Sequence, residues 1–389
     1  MLTARVAIIG GGLSGLYAAY LLEQRGIRDY VLLEARDAPG GRIMSVSPAA
    51  GTGEQRSSEQ YDLGATWFWP ALQPDLQALL TELGLRTFEQ QEAGDMLLER
   101  SRTHVAARVD RYRSTPAARR VVGGMGALID ALSQRLTANR LMTGCRVRRL
   151  RYRDDCVEVD VDGPQGREPA YRVAHVLLAV PPRLALGKIV FEPALPDALA
   201  RPWQDCETWM ASHAKYVAVF DRPFWQEQGL SGEVRSAVGP MTEIHDASAL
   251  ACHGALFGFL GIPATARHQI SDEALRTHCR AQLVRLFGDD AASPRAEYLK
   301  DWSRDPCTAV AADQNTGVHQ RLRLPSSAGS GVWCDRLSGI ASEWSPEFSG
   351  YAAGALDAAR RGVAALMAGI TGRSHFAMTH YPSPSAQDD

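Results

Sequence analysis

Residues 10–15 have the types and the spacing that suit binding of a pyrophosphate group. They read Gly-Gly-Gly-Leu-Ser-Gly, a GxGxxG pattern that follows an apolar run at 5–9 and opens a helical pattern at 13–24. The free N–H groups and the partial positive charge at the start of such a helix favour phosphates. We therefore expect a strand, a phosphate-binding turn and a helix in succession, with Leu13 and Ser14 beside the bound group.

Each glycine of this turn has a different task. Gly10 permits the tight turn, Gly12 lets the backbone approach the pyrophosphate, and Gly15 allows the helix to pack closely on the strand. Glu34 ends a second strand pattern, 19 residues after Gly15, where a carboxylate can accept hydrogen bonds from ribose hydroxyls. A glycine-rich turn alone could arise by accident, but strand, glycines, helix, strand and acid together predict an adenine-dinucleotide site.

The segment that follows Glu34 favours FAD over NAD. Residues 34–42 read Glu-Ala-Arg-Asp-Ala-Pro-Gly-Gly-Arg, and the final triplet resembles the GGR signature of FAD enzymes. Gly41 allows a second close pass of the backbone, and Arg42 can donate to phosphate or ribityl oxygens as a fork. Arg36 is a further predicted contact. The alternative is a surface turn with a solvated arginine.

Later motifs, in the same order, resemble the flavin amine oxidase family, which includes monoamine and polyamine oxidases. They lie at 61–67 (Tyr-Asp-Leu-Gly-Ala-Thr-Trp), 122–128 (Val-Gly-Gly-Met-Gly-Ala-Leu), 145–147, 178–182 (Leu-Ala-Val-Pro-Pro), 209–215, 223–225, 302, 341–343 and 349–351. The resemblance covers most of the chain. It implies an α/β fold, α+β overall, in which a Rossmann-like FAD-binding domain is interleaved with a smaller mixed-sheet substrate domain.

The resemblance also implies where the two domains and further cofactor contacts lie. The FAD-binding domain would comprise 1–74, 120–186 and 301–389, and the substrate domain 75–119 and 187–300. The cofactor contacts that the later motifs imply are Gly64, Ala65, Thr66, Val147, Ser342 and Glu343.

Three residues are the candidates for catalysis. Lys215 lies in an apolar strand pattern, and it is one of only three lysines among 42 basic residues, the other 39 being arginine. By resemblance it would hold a water beside the flavin and assist proton or oxygen chemistry. Trp302 would lie beside the flavin, and Tyr351 would form one wall of an aromatic cage around the substrate nitrogen. His213 and His245 are more simply interpreted as hydrogen-bonded core residues.

The sequence departs from the family pattern after Trp302. Some monoamine oxidases hold FAD through a cysteine in this stretch, but Cys307 comes too early, so we predict non-covalent FAD. The second cage aromatic is also missing, because Ala311 and Ala312 occupy its place. Three aromatic residues could replace it: Trp67, Phe68 and Trp69. The segment 75–119 is much shorter than in the better-known members of the family, which predicts a wide entrance that admits bulky, peptide-bound or polymer substrates, or a partner protein, rather than simple monoamines.

Composition and charge exclude several classes of protein and of binding partner. A net charge of -2 gives no basic excess for nucleic-acid binding, and no apolar stretch is long enough to span a membrane. Seven scattered cysteines without a CxxC pair argue against a disulfide framework and a metal site. The first apolar run is too short for a signal peptide. We expect a cytoplasmic enzyme.

These features predict an FAD-dependent oxidase that removes a hydride from the carbon next to an amine nitrogen, gives an imine and passes electrons to oxygen, with peroxide as product. Alternatives within the superfamily are an amino-acid oxidase, a desaturase and a dehydrogenase with a protein acceptor. A different class is an FAD-binding module without turnover. The substrate and the oligomeric state stay open.

Overall fold

A computed structural model describes residues 1–48, 59–110, 115–164, 166–167, 170–250, 253–314 and 323–378. The helices are α1 (Leu13–Gln24), α2 (Pro74–Glu82), α3 (Gly126–Arg135), α4 (Pro182–Lys188), α5 (Asp197–Asp205), α6 (Phe224–Glu227), α7 (Ala264–Arg267), α8 (Asp272–Phe287) and α9 (Ala352–Met378). The strands are β1 (Leu2–Ile9), β2 (Tyr30–Leu33), β3 (Ser45–Val46), β4 (Tyr61–Asp62), β5 (Thr87–Glu89), β6 (Asp95–Glu99), β7 (Ala107–Val109), β8 (Arg119–Val121), β9 (Leu141–Met142), β10 (Arg146–Arg153), β11 (Cys156–Gly163), β12 (Gly166–Arg167), β13 (Tyr171–Leu178), β14 (Val190–Glu192), β15 (Ala214–Phe220), β16 (Leu230–Ser236), β17 (Met241–Asp246), β18 (Gly254–Leu260), β19 (Ala296–Asp301) and β20 (Leu337–Gly339).

The first sheet has the order β14-β10-β11-β13-β1-β2-β9, in which β1 lies between β13 and β2, and β12 and β20 pair with β11 and β13 outside this order. The pairs of β1 with β13 and with β2 are parallel, whereas β11 runs antiparallel to β10 and β13. Parallel strands buried on both faces read as continuous apolar runs, as in the Ile-Ile end of β1 and the Tyr-Val-Leu-Leu of β2. The succession β1, α1, β2 confirms the predicted Rossmann-like opening, and the mixed α/β class is also confirmed.

The second sheet has the order β19-β15-β18-β17-β16-β6-β7 and is mostly antiparallel. Successive side chains of a strand point to opposite faces of the sheet, so the residues of β15 show what packs on each face. Tyr216 and Ala218 pack in the core beneath α8, while Val217 and Val219 pack with Tyr61 on the other face. This second face is directed toward the turn at 63–66, which follows β4.

The division of the chain into domains stays a prediction. Two elements that it assigns to the substrate domain pack against the first sheet instead of the second. Leu76 and Leu80 of α2 lie in the core beside the first sheet, and β14 pairs with β10. Both elements fall within ranges assigned to the substrate domain. Within the described residues, no helix has the length and apolar character to cross a membrane, and no cluster of metal-ligating side chains occurs.

Candidate active site

A cleft with about 1140 Å³ of empty volume, partly open to solvent, runs along the carboxyl ends of β1 and β2. Most of the predicted cofactor residues line it. They are Gly10, Gly12, Leu13, Ser14, Glu34, Arg36, Gly41, Arg42, Ala65, Val147 and Ser342. The predicted residues Gly15, Gly64, Thr66 and Glu343 adjoin these lining residues without lining the cleft themselves. The sequence therefore located one continuous cleft from segments that are far apart along the chain.

The glycine turn fits a dinucleotide because side chains are excluded where the backbone must pass closely. Gly10 has a φ of +106°, a left-handed conformation that favours glycine. A Cβ on Gly15 would lie 1.9 Å from the carbonyl oxygen of Gly10. A Cβ on Gly12 would meet no protein atom closer than 3.7 Å, so its missing side chain widens the cleft rather than relieving a contact.

We expect Gly15→Ala to abolish tight cofactor binding, because the added methyl group forces α1 away from β1. Gly26→Ala is the matched control: Gly26 follows the other end of α1, and a Cβ there meets no atom within 4 Å. Its positive φ of 76° makes the expected cost about 1 kcal/mol, without loss of cofactor. Flavin content after gel filtration measures the difference, and equal flavin content in both variants would contradict the close-packing role.

Glu34 and Arg36 form one end of the cleft. The carboxylate of Glu34 accepts hydrogen bonds from the backbone N–H groups of Gly11 (2.6 Å) and Arg36 (2.8 Å). The Arg36 guanidinium donates to Asp305 Oδ1 (2.7 Å) and Thr308 Oγ1 (3.0 Å). Cys307 lines the cleft between these two partners. The loop after Trp302 therefore covers the end at which Glu34 would bind ribose.

Arg42 joins the middle of the cleft to a buried carboxylate. Its guanidinium donates to both oxygens of Glu343 (2.5 and 3.0 Å), to Ser342 Oγ (3.2 Å) and to the carbonyl of Trp209 (3.2 Å). Burial alone would raise the pKa of the Glu343 carboxyl, but the charge and hydrogen bonds of Arg42 hold it below its usual value. A charged pair of this kind presents one edge of the guanidinium to the cleft.

Lys215 and Trp302 converge on the turn at 63–66. The Lys215 ammonium group is fully buried, donates to Thr66 Oγ1 (2.5 Å) and lies 3.9 Å from the centre of the Phe257 ring. The Trp302 indole N–H donates to the carbonyl of Leu63 (3.1 Å). Burial lowers the pKa of Lys215 to about 7, although the charge of Asp62 opposes this shift. Lys215 can therefore hold or release a proton near neutral pH.

Tyr351 lies at the start of α9, where it lines the cleft and is 38% exposed. Its ring stacks with that of Trp209, at 6.0 Å between centroids and 26° between planes. The sequence did not identify Trp209 as a site residue, although Trp209 is the first residue of the 209–215 motif. Gly350 makes the stack possible, since a Cβ there would lie 2.6 Å from Trp209 Cβ.

The three aromatic residues proposed for the second cage wall lie in different surroundings, and their role in a cage stays a prediction. Phe68 is buried in the core beside the first sheet and is not among the residues that line the cleft. Trp67 packs on the second sheet, 4.8 Å from the His245 ring and 5.2 Å from the Phe257 ring. Trp69 lies just before α2, where its backbone N–H donates to Gln73 Oε1 (3.3 Å).

The face of the second sheet beyond Lys215 carries titratable groups. His245 Nε2 lies 3.3 Å from Glu243 Oε2, and Arg235 pairs with Glu243 and Glu233. Burial, followed by the charge of Arg267, lowers the pKa of His213, which lies beside Trp209. This face combines aromatic rings with a carboxylate, which suits a cationic group entering from solvent.

Comparison with family models places the chain among known proteins. The model for flavin-containing amine oxidoreductases matches residues 93–367. A second model, for an NAD(P)-binding Rossmann-like domain, matches residues 8–83. Together the two matches extend over both sheets and the cleft.

Curated relatives share limited identity. A probable flavin-containing monoamine oxidase A of Dictyostelium discoideum is 27% identical over 48% of this chain and 40% of its own length. Putrescine oxidase of Kocuria rosea is 28% identical over 52% and 45%. An L-amino acid dehydrogenase of Synechocystis sp. is 27% identical over 65% and 51%. The chain spans about half the length of the curated relatives it matches.

Solved structures share the fold over nearly the whole chain. A putrescine oxidase bound to putrescine has a TM-score of 0.74 at 21% identity, covering 94% of this chain and 99% of the other. Cyclohexylamine oxidase from Brevibacterium oxydans has a TM-score of 0.76 at 18% identity, covering 95% and 99%. At these identities the likeness concerns the fold alone.

Proposed function

Because the chain belongs to the family of flavin-containing amine oxidoreductases, we propose that it is an FAD-dependent oxidase that converts an amine to an imine. In this reaction a hydride leaves the carbon next to the nitrogen. The observation that carries the proposal is the buried Lys215, which donates to Thr66 in the turn that also bonds Trp302 and that contributes Ala65 to the cofactor cleft. Because its pKa is lowered to about 7, this lysine can take up and release a proton at neutral pH. Packing alone does not explain a lysine at a fully buried position.

The cleft residues fit FAD. The glycine turn and α1 would receive the pyrophosphate, Glu34 the adenosine ribose, and Arg42 the phosphate or ribityl oxygens. Bound FAD supplies the hydride acceptor. We propose non-covalent binding, because Cys307 lies at the Glu34 end of the cleft and Ala311 and Ala312 offer no thiol.

The chain's own residues would prepare the substrate. A free alkylamine is mostly protonated at neutral pH, and its ammonium has no lone pair with which to form the imine. The rings of Tyr351 and Trp209 can attract the cation, while the apolar surroundings favour the neutral amine. Lys215 Nζ is available to hold a water and to accept or return a proton.

A second candidate is oxidation of amino acids, which the similarity to the Synechocystis dehydrogenase favours. That reaction needs a cation for the substrate carboxylate. Among the described residues, Arg120, Arg235 and Arg267 approach the second sheet, and each donates to protein carbonyls or carboxylates. These existing partners favour the amine over the amino acid.

Anaerobic flavin bleaching tests both candidates. Purified holoenzyme is mixed without oxygen with putrescine, longer polyamines, cyclohexylamine and L-amino acids while the absorbance of the oxidised flavin is followed. We expect bleaching by amines, and by amines only. Bleaching confined to L-amino acids would establish the second candidate, and bound flavin that no compound bleaches would contradict both. Readmitting oxygen and comparing peroxide yield with dye reduction then identifies the electron acceptor.

A further inference from the structure

One buried carboxylate, that of Asp305, binds a cation on each of its oxygens. Its Oδ1 accepts a hydrogen bond from the Arg36 guanidinium (2.7 Å), and its Oδ2 accepts one from the Lys300 ammonium group (2.6 Å). The side chain of Asp305 is 8% exposed. Arg36 lines the cofactor cleft, whereas Lys300 lies on β19 of the second sheet. Asp305 therefore ties a residue of the cleft to the second sheet.

Asp305 also fixes the loop that follows it. Its Oδ1 accepts a hydrogen bond from the backbone N–H of Cys307 (3.0 Å), and its carbonyl accepts one from the backbone N–H of Thr308 (3.0 Å). Arg36 in turn donates to Thr308 Oγ1 (3.0 Å). Residues 306–308 line the cleft. The carboxylate thus joins Arg36 to the loop that forms one wall of the cleft.

The position of Arg36 decides how much of the Glu34 carboxylate is available to a ligand. Glu34 Oε2 accepts from the backbone N–H of Gly11 (2.6 Å), and Oε1 accepts from the backbone N–H of Arg36 (2.8 Å). Each carboxylate oxygen has a further lone pair, with which it can accept a ribose hydroxyl. Arg36 Nη1 lies 3.9 Å from Glu34 Oε1, which is too far for a hydrogen bond, while Nη2 donates to Asp305.

Asp305 is the carboxylate that holds the guanidinium. Burial raises the pKa of Asp305, but the hydrogen bond from Lys300 and the charge of Arg36 outweigh this effect and keep the pKa below its usual value. A charge-assisted bond of 2.7 Å is stronger than an approach of 3.9 Å. An Arg36 side chain released from Asp305 would turn to Glu34, since the two groups already lie at the limit of an ion pair.

We propose that Asp305 is a positioning residue that holds Arg36 away from Glu34 and so keeps the Glu34 carboxylate available to the ribose hydroxyls of the cofactor. The proposal rests on the placement of FAD in the cleft, which is part of the proposed function, and not on the substrate. Asp305 itself is not among the residues that line the cleft. It therefore acts on the bound adenosine through Arg36 and Glu34.

The preference of the apoprotein for ADP over 2′,3′-dideoxy-ADP measures the proposed effect directly. The two ligands share the adenine and the pyrophosphate and differ only in the ribose hydroxyls. We expect calorimetry to give a Kd about tenfold lower for ADP in the unaltered apoprotein, the size expected for a hydrogen bond to a charged group. Asp305→Asn keeps the shape of the side chain but loses its charge, and it should lose most of this preference.

Removal of Arg36 should restore the preference. In Arg36→Met/Asp305→Asn no guanidinium is left to occupy Glu34, so the double variant should again favour ADP about tenfold. A general disturbance of the loop would not be repaired by a second truncation. A double variant that lacks the preference would overturn the proposal, and so would an Asp305→Asn protein that keeps it. An unaltered apoprotein without the preference would show that Glu34 does not bind the ribose, which also overturns it.

Asp301→Asn is the matched control. Asp301 lies just before Asp305 in the chain, and its side chain is 5% exposed, but its oxygens accept from Arg267 instead (2.8 and 2.9 Å). This variant should keep the preference for ADP even where its Tm falls. The Asp305→Asn change is also made in Lys300→Met and compared with Lys300→Met alone. No ammonium group then faces the new amide, so the comparison survives if the single variant does not fold.

The ligand titrations need no substrate, which separates the two proposals. If the preference for ADP changes as expected but no amine bleaches the flavin, the proposed amine oxidation fails and the role of Asp305 stands. If amines bleach the flavin but Asp305→Asn keeps the preference of the unaltered apoprotein, the proposed function stands and the role of Asp305 fails.

Discussion

Lys215→Met is expected to slow flavin reduction or flavin reoxidation on the order of 100-fold or more, with FAD retained. The substitution gives an apolar side chain of similar length but removes the amine that bonds Thr66 Oγ1 and could carry a proton there. Stopped-flow spectroscopy measures the two half-reactions separately. The control is Tyr216→Phe, because Tyr216 neighbours Lys215 but packs on the opposite face of β15. Near-normal rates for both half-reactions of Lys215→Met would remove the lysine from the active site.

The same variant should be more stable than the unaltered protein at neutral and lower pH. The pKa of Lys215 falls from 10.5 to about 7 on folding, so between these values the unfolded chain binds more protons than the folded chain. The stability of the unaltered protein therefore rises with pH across this window, and methionine removes that dependence. The gain in Tm should be largest below pH 7 and should shrink toward pH 10. Both proteins must be saturated with FAD, since bound cofactor also raises Tm.

Arg42→Met is expected to yield protein with little bound FAD and a free energy of unfolding lower by about 3–5 kcal/mol, the range for breaking a buried ion pair. Glu343 would lose its bidentate partner while staying fully buried. Flavin content and chemical denaturation of the apoprotein measure the two effects. In the double variant Arg42→Met/Glu343→Met most of the stability should return, but the FAD should not.

The pH dependence of Arg42→Met should reverse in sign. In the unaltered protein Arg42 holds the pKa of Glu343 below its usual value, so this stabilisation is present above about pH 4.5 and is lost as the pH falls through the lowered pKa. Without Arg42, burial raises that pKa instead, and the variant should lose stability as the pH rises. A variant that keeps the original pH dependence would show that other groups compensate for Glu343.

Local patterns in the sequence were sufficient for the elements that position the cofactor. The helix at 13–24 follows directly from its glycine turn, and α8 follows from Ser271, which caps its start, and Gly288, which ends it with a φ of +90°. In each case the signals lie within a few residues of the element they define. The same is true of the apolar strand around Lys215.

Contacts between segments that are distant in the sequence could not be predicted from such local patterns. The arginine-rich segment 96–120 shows no clear helical or strand pattern, yet it contributes to β6 and β7 at the margin of the second sheet and includes Arg120 in β8. Arg120 reads as one of many solvated arginines until β8 is brought against the carbonyls of 247 and 248. The stack of Trp209 on Tyr351 likewise joins residues whose separation in sequence no motif spacing encodes.

The cleft is assembled from parts of the chain that are made at very different times during synthesis. Ser14, at the start of α1, donates to the carbonyl of Ile340, 326 residues further on, and α9 packs against α1. Contacts of such high sequence separation slow folding, because the entropy of closing the loop must be overcome before they form. A nascent chain that ends before residue 340 therefore has the glycine turn without the surface that closes over it. Binding of the cofactor is therefore expected to follow synthesis of the segment around residue 340.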